Sequence, residues 1–195
     1  MIADSIKSKK FLFDVFDVVT FFVFSLGIVV FVRFFLFTPF SVVGQSMAPT
    51  FDQGDFIIVE KISTQQNNYQ RGDVIVFLPP NKNEAYIKRI IGLPGETVKI
   101  IDGDVTICGV DGECDMLDEP YLTNGKTHTR CSISEFYVQS GYFVMGDNRD
   151  HSTDSRCCFG YGCYEGSSFT ISNERILGKV WFRLFPSPRA NFMQP

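Results

Sequence analysis

Apolar positions are nearly continuous over the first forty residues and then change rhythm. Asp14 and Asp17 interrupt the start, residues 18–32 carry no charge, Arg33 follows, and the apolar run resumes over residues 34–37. A bilayer-spanning helix needs about 20 apolar residues. The pattern therefore predicts one transmembrane helix over residues 16–37, with Arg33 near an interface where it snorkels to the headgroups. Beyond Pro39 the apolar runs shorten to four to seven residues. They are Phe56-Ile57-Ile58-Val59, Val74-Ile75-Val76-Phe77, residues 85–91, Thr97-Val98-Lys99-Ile100-Ile101, Tyr142-Phe143-Val144-Met145 and residues 176–182. Gly, Asp and Pro close most of them. This punctuation predicts a mostly antiparallel, barrel-like β fold over residues 38–195, with no amphipathic helix and no internal repeat. The cysteine-containing stretch at about 102–136 reads as an inserted hairpin and loop within that one domain.

Lys7, Lys9 and Lys10 flank the apolar run and place residues 1–15 on the cytoplasmic side of a plasma or inner membrane, with the C-terminal domain outside. A cleaved secretory signal is the alternative. Its best small-x-small site, Ser25-Leu26-Gly27, falls inside the apolar run, which favours an uncleaved anchor. Six cysteines fit an exported domain. Cys108 and Cys114 flank a turn-like segment and suit a local disulfide. Either Cys157 or Cys158 can reach Cys163, and Cys131 remains, so the pairing stays open. No CxxC pair or spaced histidines suggest a metal, and no cofactor is expected. Beyond residue 40 there are 14 basic and 19 acidic residues, which gives no reason to expect nucleic-acid binding.

Lys88 stands in Tyr86-Ile87-Lys88-Arg89-Ile90-Ile91. On a strand it shares a face with Tyr86 and Ile90, while Arg89 goes with Ile87 and Ile91. One of the two cations must face the apolar side. Burial lowers an ammonium pKa toward neutrality, and a neutral lysine can act as general base toward a serine hydroxyl. A lone strand lysine is ordinarily solvent-facing, and Ser46, in Gly44-Gln45-Ser46-Met47-Ala48-Pro49-Thr50, can simply open a turn. Position argues for more. Ser46 lies nine residues beyond the anchor, with Pro49 fixing the chain after it and Gly44 allowing close approach before it. The segment Gly146-Asp147-Asn148-Arg149-Asp150-His151-Ser152-Thr153-Asp154-Ser155-Arg156 follows an apolar strand and can build a closed polar network rather than a solvated loop.

Together these segments resemble the type I signal peptidases. The matching runs are Ser46-Met47-Ala48-Pro49-Thr50, Arg71-Gly72-Asp73-Val74-Ile75-Val76-Phe77, residues 86–95 and residues 146–156, in the family's order, with a weaker match at Gly178-Lys179. The resemblance implies a membrane-bound serine endopeptidase with a signal-peptidase- or LexA-like β domain. It implies Ser46 as nucleophile, Lys88 as general base, and Ser152 as the hydroxyl that orients the lysine. Asp147, Asp154 and Arg156 would support the site, the last two as an ion pair, and Met47 would pack beneath the nucleophile. The expected partners are signal-peptide-bearing preproteins and the lipid bilayer, with the enzyme acting as a monomer. The substrate would lie extended between residues 41–45 and 84–87, presenting a small-x-small cleavage site.

Two positions depart from the pattern. Many members carry Ser or Thr two residues before the nucleophile, where this chain has Gly44, so the oxyanion would rest on the Ser46 N–H, with a backbone group near Gly44 or a water as the second donor. Glu96 stands where Asp is common. Three other readings compete: a specialised pilin- or conjugation-type signal peptidase with few substrates, a membrane-anchored β domain that only binds partners, and a hydrolase dependent on His151.

Overall fold

In the computed structural model, residues 2–80, 82–122, 126–127, 133–160, 162–163, 167–185 and 191–192 are described. The chain divides into two compact units, residues 1–38 and residues 39–195. The first is built on a single helix, α1 (Ile2–Phe35). Its stretch Val15–Phe35, 21 residues with a mean hydropathy of 2.6, is long and apolar enough to cross a membrane. At 1.5 Å per residue it covers roughly 31 Å, the thickness of a bilayer's hydrocarbon core. The helix stops two residues short of the expected Phe37, because Thr38 precedes Pro39 and is biased toward extended backbone.

The second unit carries two antiparallel sheets. Its strands are β1 (Phe37–Ser41), which begins two residues before the unit boundary, β2 (Phe56–Glu60), β3 (Val74–Phe77), β4 (Tyr86–Gly92), β5 (Thr97–Ile101), β6 (Asp104–Cys108), β7 (Cys114–Met116), β8 (Glu135–Tyr137), β9 (Phe143–Met145), β10 (Ile176–Phe185) and β11 (Asn191–Phe192). A short helix, α2 (Ile62–Gln66), follows β2. The larger sheet has the order β1-β2-β10-β3-β4-β9, with β11 also on β10; the smaller runs β7-β6-β5-β8. The sheets stay open, so the barrel-like expectation is corrected to two separate sheets. Within residues 102–136, β6, β7 and the first two residues of β8 join β5 and Tyr137 in the second sheet.

The apolar faces pack into three buried clusters. One joins Ile75, Phe77, Ile90 and Val144 on one face of the large sheet. A second, with Ile91, Val98, Val105, Phe136 and Phe143, fastens the sheets together. The third combines Val42, Met47 and Phe51 with Ile57, Val59 and Val76, and so pins the segment around Ser46 to the sheet. Disulfides join Cys108 to Cys114 across the β6–β7 pair and Cys158 to Cys163. Cys157 is disulfide-bonded too, while Cys131 lies outside the described residues.

Candidate active site

The segment bearing Ser46 leaves β1 through Gly44, whose φ of +89° is a left-handed conformation that favours glycine. A serine or threonine would be strained at that backbone conformation. The chain then turns tightly: Ala48 N–H donates to Gln45 O at 3.2 Å and Phe51 N–H to Met47 O at 2.9 Å. Met47 and Phe51 are sunk in the third cluster, so the turn is held from below and Ser46 stays partly exposed above it.

Lys88 comes from β4, an interior strand flanked by β3 and β9. It pairs with Ile75 across the sheet, on the face that carries Ile90. Only 3% of its surface is exposed. Its Nζ donates to Ser46 Oγ at 2.6 Å and to Ile87 O at 2.8 Å, and lies 5.4 Å from the centre of the Tyr86 ring. Burial lowers the Lys88 pKa from 10.5 to about 8; Asp154 and Asp147 pull it back up, and Arg156 pushes it further down. An ammonium held this close to neutrality, in contact with a hydroxyl, can lose its proton and then accept the hydroxyl's.

Lys88 and Arg89 point to opposite faces of the strand, and both are buried. β4 is covered on both faces, and the second face supplies a carboxylate. Arg89 donates from Nε to Asp147 Oδ1 at 2.9 Å and from Nη2 to Asp147 Oδ2 at 2.6 Å, a two-pronged bond. Burial works against the Arg89 cation, yet Asp147 outweighs it and raises the pKa. Thr50 Oγ1 donates to Asp147 Oδ2 at 2.5 Å, tying the Ser46 turn to the same acid. Arg89 and Thr50 escaped the sequence reading as site residues. For Arg89 the signal was its adjacency to Lys88 in an apolar strand.

After β9 the chain enters residues 146–156 at Gly146. A Cβ there would overlap Ser152 Oγ and the Ser46 carbonyl, so only glycine allows the two segments to touch. Asn148 N–H donates to Ser46 O at 3.1 Å, and Asn148 Nδ2 to Gln45 O at 3.0 Å. Asp154, 1% exposed, accepts from Gly146 N at 3.0 Å and from Arg156 Nε and Nη2, each at 2.9 Å. Burial alone would raise the Asp154 pKa, but the bonds and charge of Arg156, with help from the Gly146 N–H, hold it below its usual 3.8. Ser152 is buried beside this acid, yet its hydroxyl makes no hydrogen bond among the described residues, to Lys88 or to any other group. His151 is exposed.

Ser46 and Lys88 open onto a cleft of about 380 Å³. One wall is Phe40, Ser41, Val42, Val43, Gly44 and Gln45; the other is Glu84, Ala85, Tyr86 and Ile87, with His151 and Thr153 at the end. The groups that were read separately in the sequence therefore meet at one place, and the extended segments expected to frame a substrate line it. The Ser46 N–H has no acceptor among the described residues.

A serine hydroxyl bonded to a buried lysine, at the floor of an extended cleft on a β scaffold, is the arrangement of a serine hydrolase. The chain belongs to the family "Signal peptidase, peptidase S26", which matches residues 15–185, and it is a serine endopeptidase of that family. It is 35% identical to a signal peptidase I of Bacillus licheniformis over 80% of each chain. It is 36% identical to a signal peptidase I of Leptolyngbya laminosa over 89% of this chain and 79% of the other. A crystal structure of a signal peptidase I from Enterococcus faecalis V583 is 30% identical and covers 57% of this chain and 96% of its own, with a TM-score of 0.40.

Proposed function

We propose that this protein is a membrane-anchored signal peptidase that cuts N-terminal signal peptides from exported preproteins after small-x-small sites. The observation that carries the reading is the 2.6 Å bond between Lys88 Nζ and Ser46 Oγ, made by a lysine buried to a pKa of about 8. Neutral Lys88 takes the Ser46 proton as Oγ attacks the scissile carbonyl, and the Ser46 N–H holds the oxyanion. The lysine returns that proton to the leaving amine, which departs as the new N-terminus of the mature protein. Lys88 then takes a proton from water as the hydroxide attacks the ester carbonyl, and gives that proton to Ser46 Oγ as the ester opens and the signal peptide leaves. Asp147, Asp154 and Arg156 hold the walls of the site, and Ser152 orients the lysine once substrate closes the cleft.

The extended walls of the cleft suit a substrate that lies as an added strand with small side chains toward its apolar lining, which includes Val42, Ile57, Val76 and Ile87. The helix Val15–Phe35 anchors the enzyme, with Lys7, Lys9 and Lys10 in the cytoplasm and the catalytic unit on the outer face, where cleavage sites emerge. The detergent-solubilised full chain is expected to cut a signal-bearing precursor once, and N-terminal sequencing of the product is expected to place the cut after a small-x-small site. No cut by folded protein, or a cut elsewhere, overturns the reading. His151→Ala belongs in the same assay, because His151 lines the cleft; activity lost with it but kept in Lys88→Ala would replace the lysine with the histidine.

The reading also sets the pH dependence. The reactive form of Lys88 is the neutral one, so kcat/KM should climb tenfold per pH unit below about 8 and level off above it. Initial rates on a fixed precursor from about pH 6 to about pH 10 check this. A flat profile across pH 8 would remove Lys88 from the proton transfer.

A further inference from the structure

The second sheet carries a turn that reaches back to the site. After β7 the chain turns at residues 119–122, with Leu122 N–H donating to Glu119 O at 3.1 Å and Pro120 in the position where its fixed φ favours such a turn. Glu119 and Tyr121 both point at the catalytic unit's polar network. Arg149 donates from Nη1 to Glu119 Oε2 at 2.9 Å and from Nη2 to Glu119 Oε1, and Nη1 also donates to Thr127 Oγ1. The Arg149 and Glu119 side chains are 4% and 8% exposed, so the pair is largely withdrawn from water. The remaining Arg149 nitrogen, Nε, donates to Gly146 O at 3.2 Å, and its carbonyl accepts from Arg156 Nη2 at 2.8 Å. Tyr121 donates its hydroxyl to Glu119 at 2.6 Å and lays its ring 4.0 Å from the Arg89 guanidinium. Arg89 in turn grips Asp147.

We infer that Glu119 and Tyr121 are positioning residues for catalysis, a two-point clamp that holds residues 146–149 against the Ser46 turn. The inference rests on the Ser46–Lys88 reading above. One arm runs from Glu119 through Arg149 to Gly146, the residue whose missing Cβ admits the Ser46 carbonyl. The other runs from Tyr121 through Arg89 to Asp147, which also holds Thr50. Between them lies Asn148, whose N–H fixes the Ser46 carbonyl. Neither Glu119 nor Tyr121 lines the cleft, so the clamp sets where Ser46 stands without touching substrate.

That separation gives the test. Displacing a nucleophile by a fraction of an ångström slows the chemical step about tenfold or more while leaving ground-state binding alone. Glu119→Ala in the full chain should therefore lower kcat about tenfold or more with KM within about twofold. Glu119→Asp, which keeps a carboxylate for Arg149, should recover most of the loss. Tyr121→Phe keeps the ring over Arg89 and should lose less than Tyr121→Ala. Thermal unfolding of each variant shows that the rates come from folded enzyme. A folded Glu119→Ala with unchanged kcat, a change in KM alone, or a Glu119→Asp as slow as Glu119→Ala overturns the clamp. Where Glu119→Ala fails to fold, the Tyr121 pair decides: equal kcat in Tyr121→Phe and Tyr121→Ala overturns it. Ser46→Ala run in parallel keeps the two readings apart. If that variant still cleaves, the dyad fails; if it is dead beside a fully active Glu119→Ala, the clamp alone fails.

Discussion

Lys88→Met is expected to abolish precursor cleavage and, at neutral pH, to raise the stability of the fold. The activity loss follows from the geometry. Met cannot accept a proton, and Ser46 Oγ has no other basic side chain bonded to it among the described residues. Removing the base of a serine nucleophile leaves only the oxyanion donor and substrate binding, a loss of roughly 10³-fold or more in kcat. The stability gain follows from the burial. The folded pKa of about 8 lies below the usual 10.5, so between those values the unfolded chain holds the proton more tightly than the folded one. Stability contributed by this site is lowest below pH 8 and rises as pH climbs from about 8 toward 10.5. A methionine of similar length removes that cost at pH 7, offset by the Ile87 carbonyl it leaves unbonded. A net gain on the order of 1–2 kcal/mol is expected in urea unfolding of the full chain in detergent. Ser46→Ala should match the activity loss without the stability gain. A Lys88→Met enzyme that still cleaves, or one less stable than wild type at pH 7 and equally so at pH 10, contradicts the assignment of Lys88 as a buried, strained base.

The residues legible in the sequence were those whose local pattern carries its own constraint. Ser46, Lys88 and residues 146–156 were found because each broke a local rule: a serine held between Gly44 and Pro49, a cation in an apolar strand, a polar run directly after one. The six principal strands were legible from short apolar runs closed by Gly, Asp or Pro. What stayed hidden depends on pairing across long separations. Arg89 bonds Asp147, 58 residues on, and Arg149 bonds Glu119, 30 residues back. Nothing in either segment alone shows that the other faces it. β6, β7 and β8 were missed for a related reason: two of them are three residues long and take their register from β5 and β6 rather than from any alternation of their own. The open sheets also follow from this. Strand content can be read locally, but whether a sheet closes is decided by which edges meet.

Arg156→Met is expected to be the most destabilising single change in the site. The guanidinium is 2% exposed and satisfies both oxygens of Asp154 as well as the Arg149 carbonyl. Its removal strands a carboxylate that is itself 1% exposed, and an uncompensated buried charge typically costs about 3–5 kcal/mol. Because Gly146 N–H and Arg149 O are anchored to the same pair, residues 146–149 loosen with it, and cleavage should fall even in the fraction that stays folded. Asp154→Asn with Arg156→Met removes both charges and should recover a good part of the stability, since the single losses arise from one shared interaction and do not add. The sign with pH is fixed by the depressed Asp154 pKa. In the wild type the pair's contribution is fully present above the ordinary carboxylate pKa and is lost as pH falls through the lower folded value. Arg156→Met should therefore be weakest relative to wild type near neutrality and approach it in acid, where Asp154 is protonated in both. Urea midpoints at about pH 7 and in acid well below the ordinary Asp154 value of 3.8 measure the difference. A variant equally destabilised at both would show that Arg156 acts through packing rather than through the charge it neutralises.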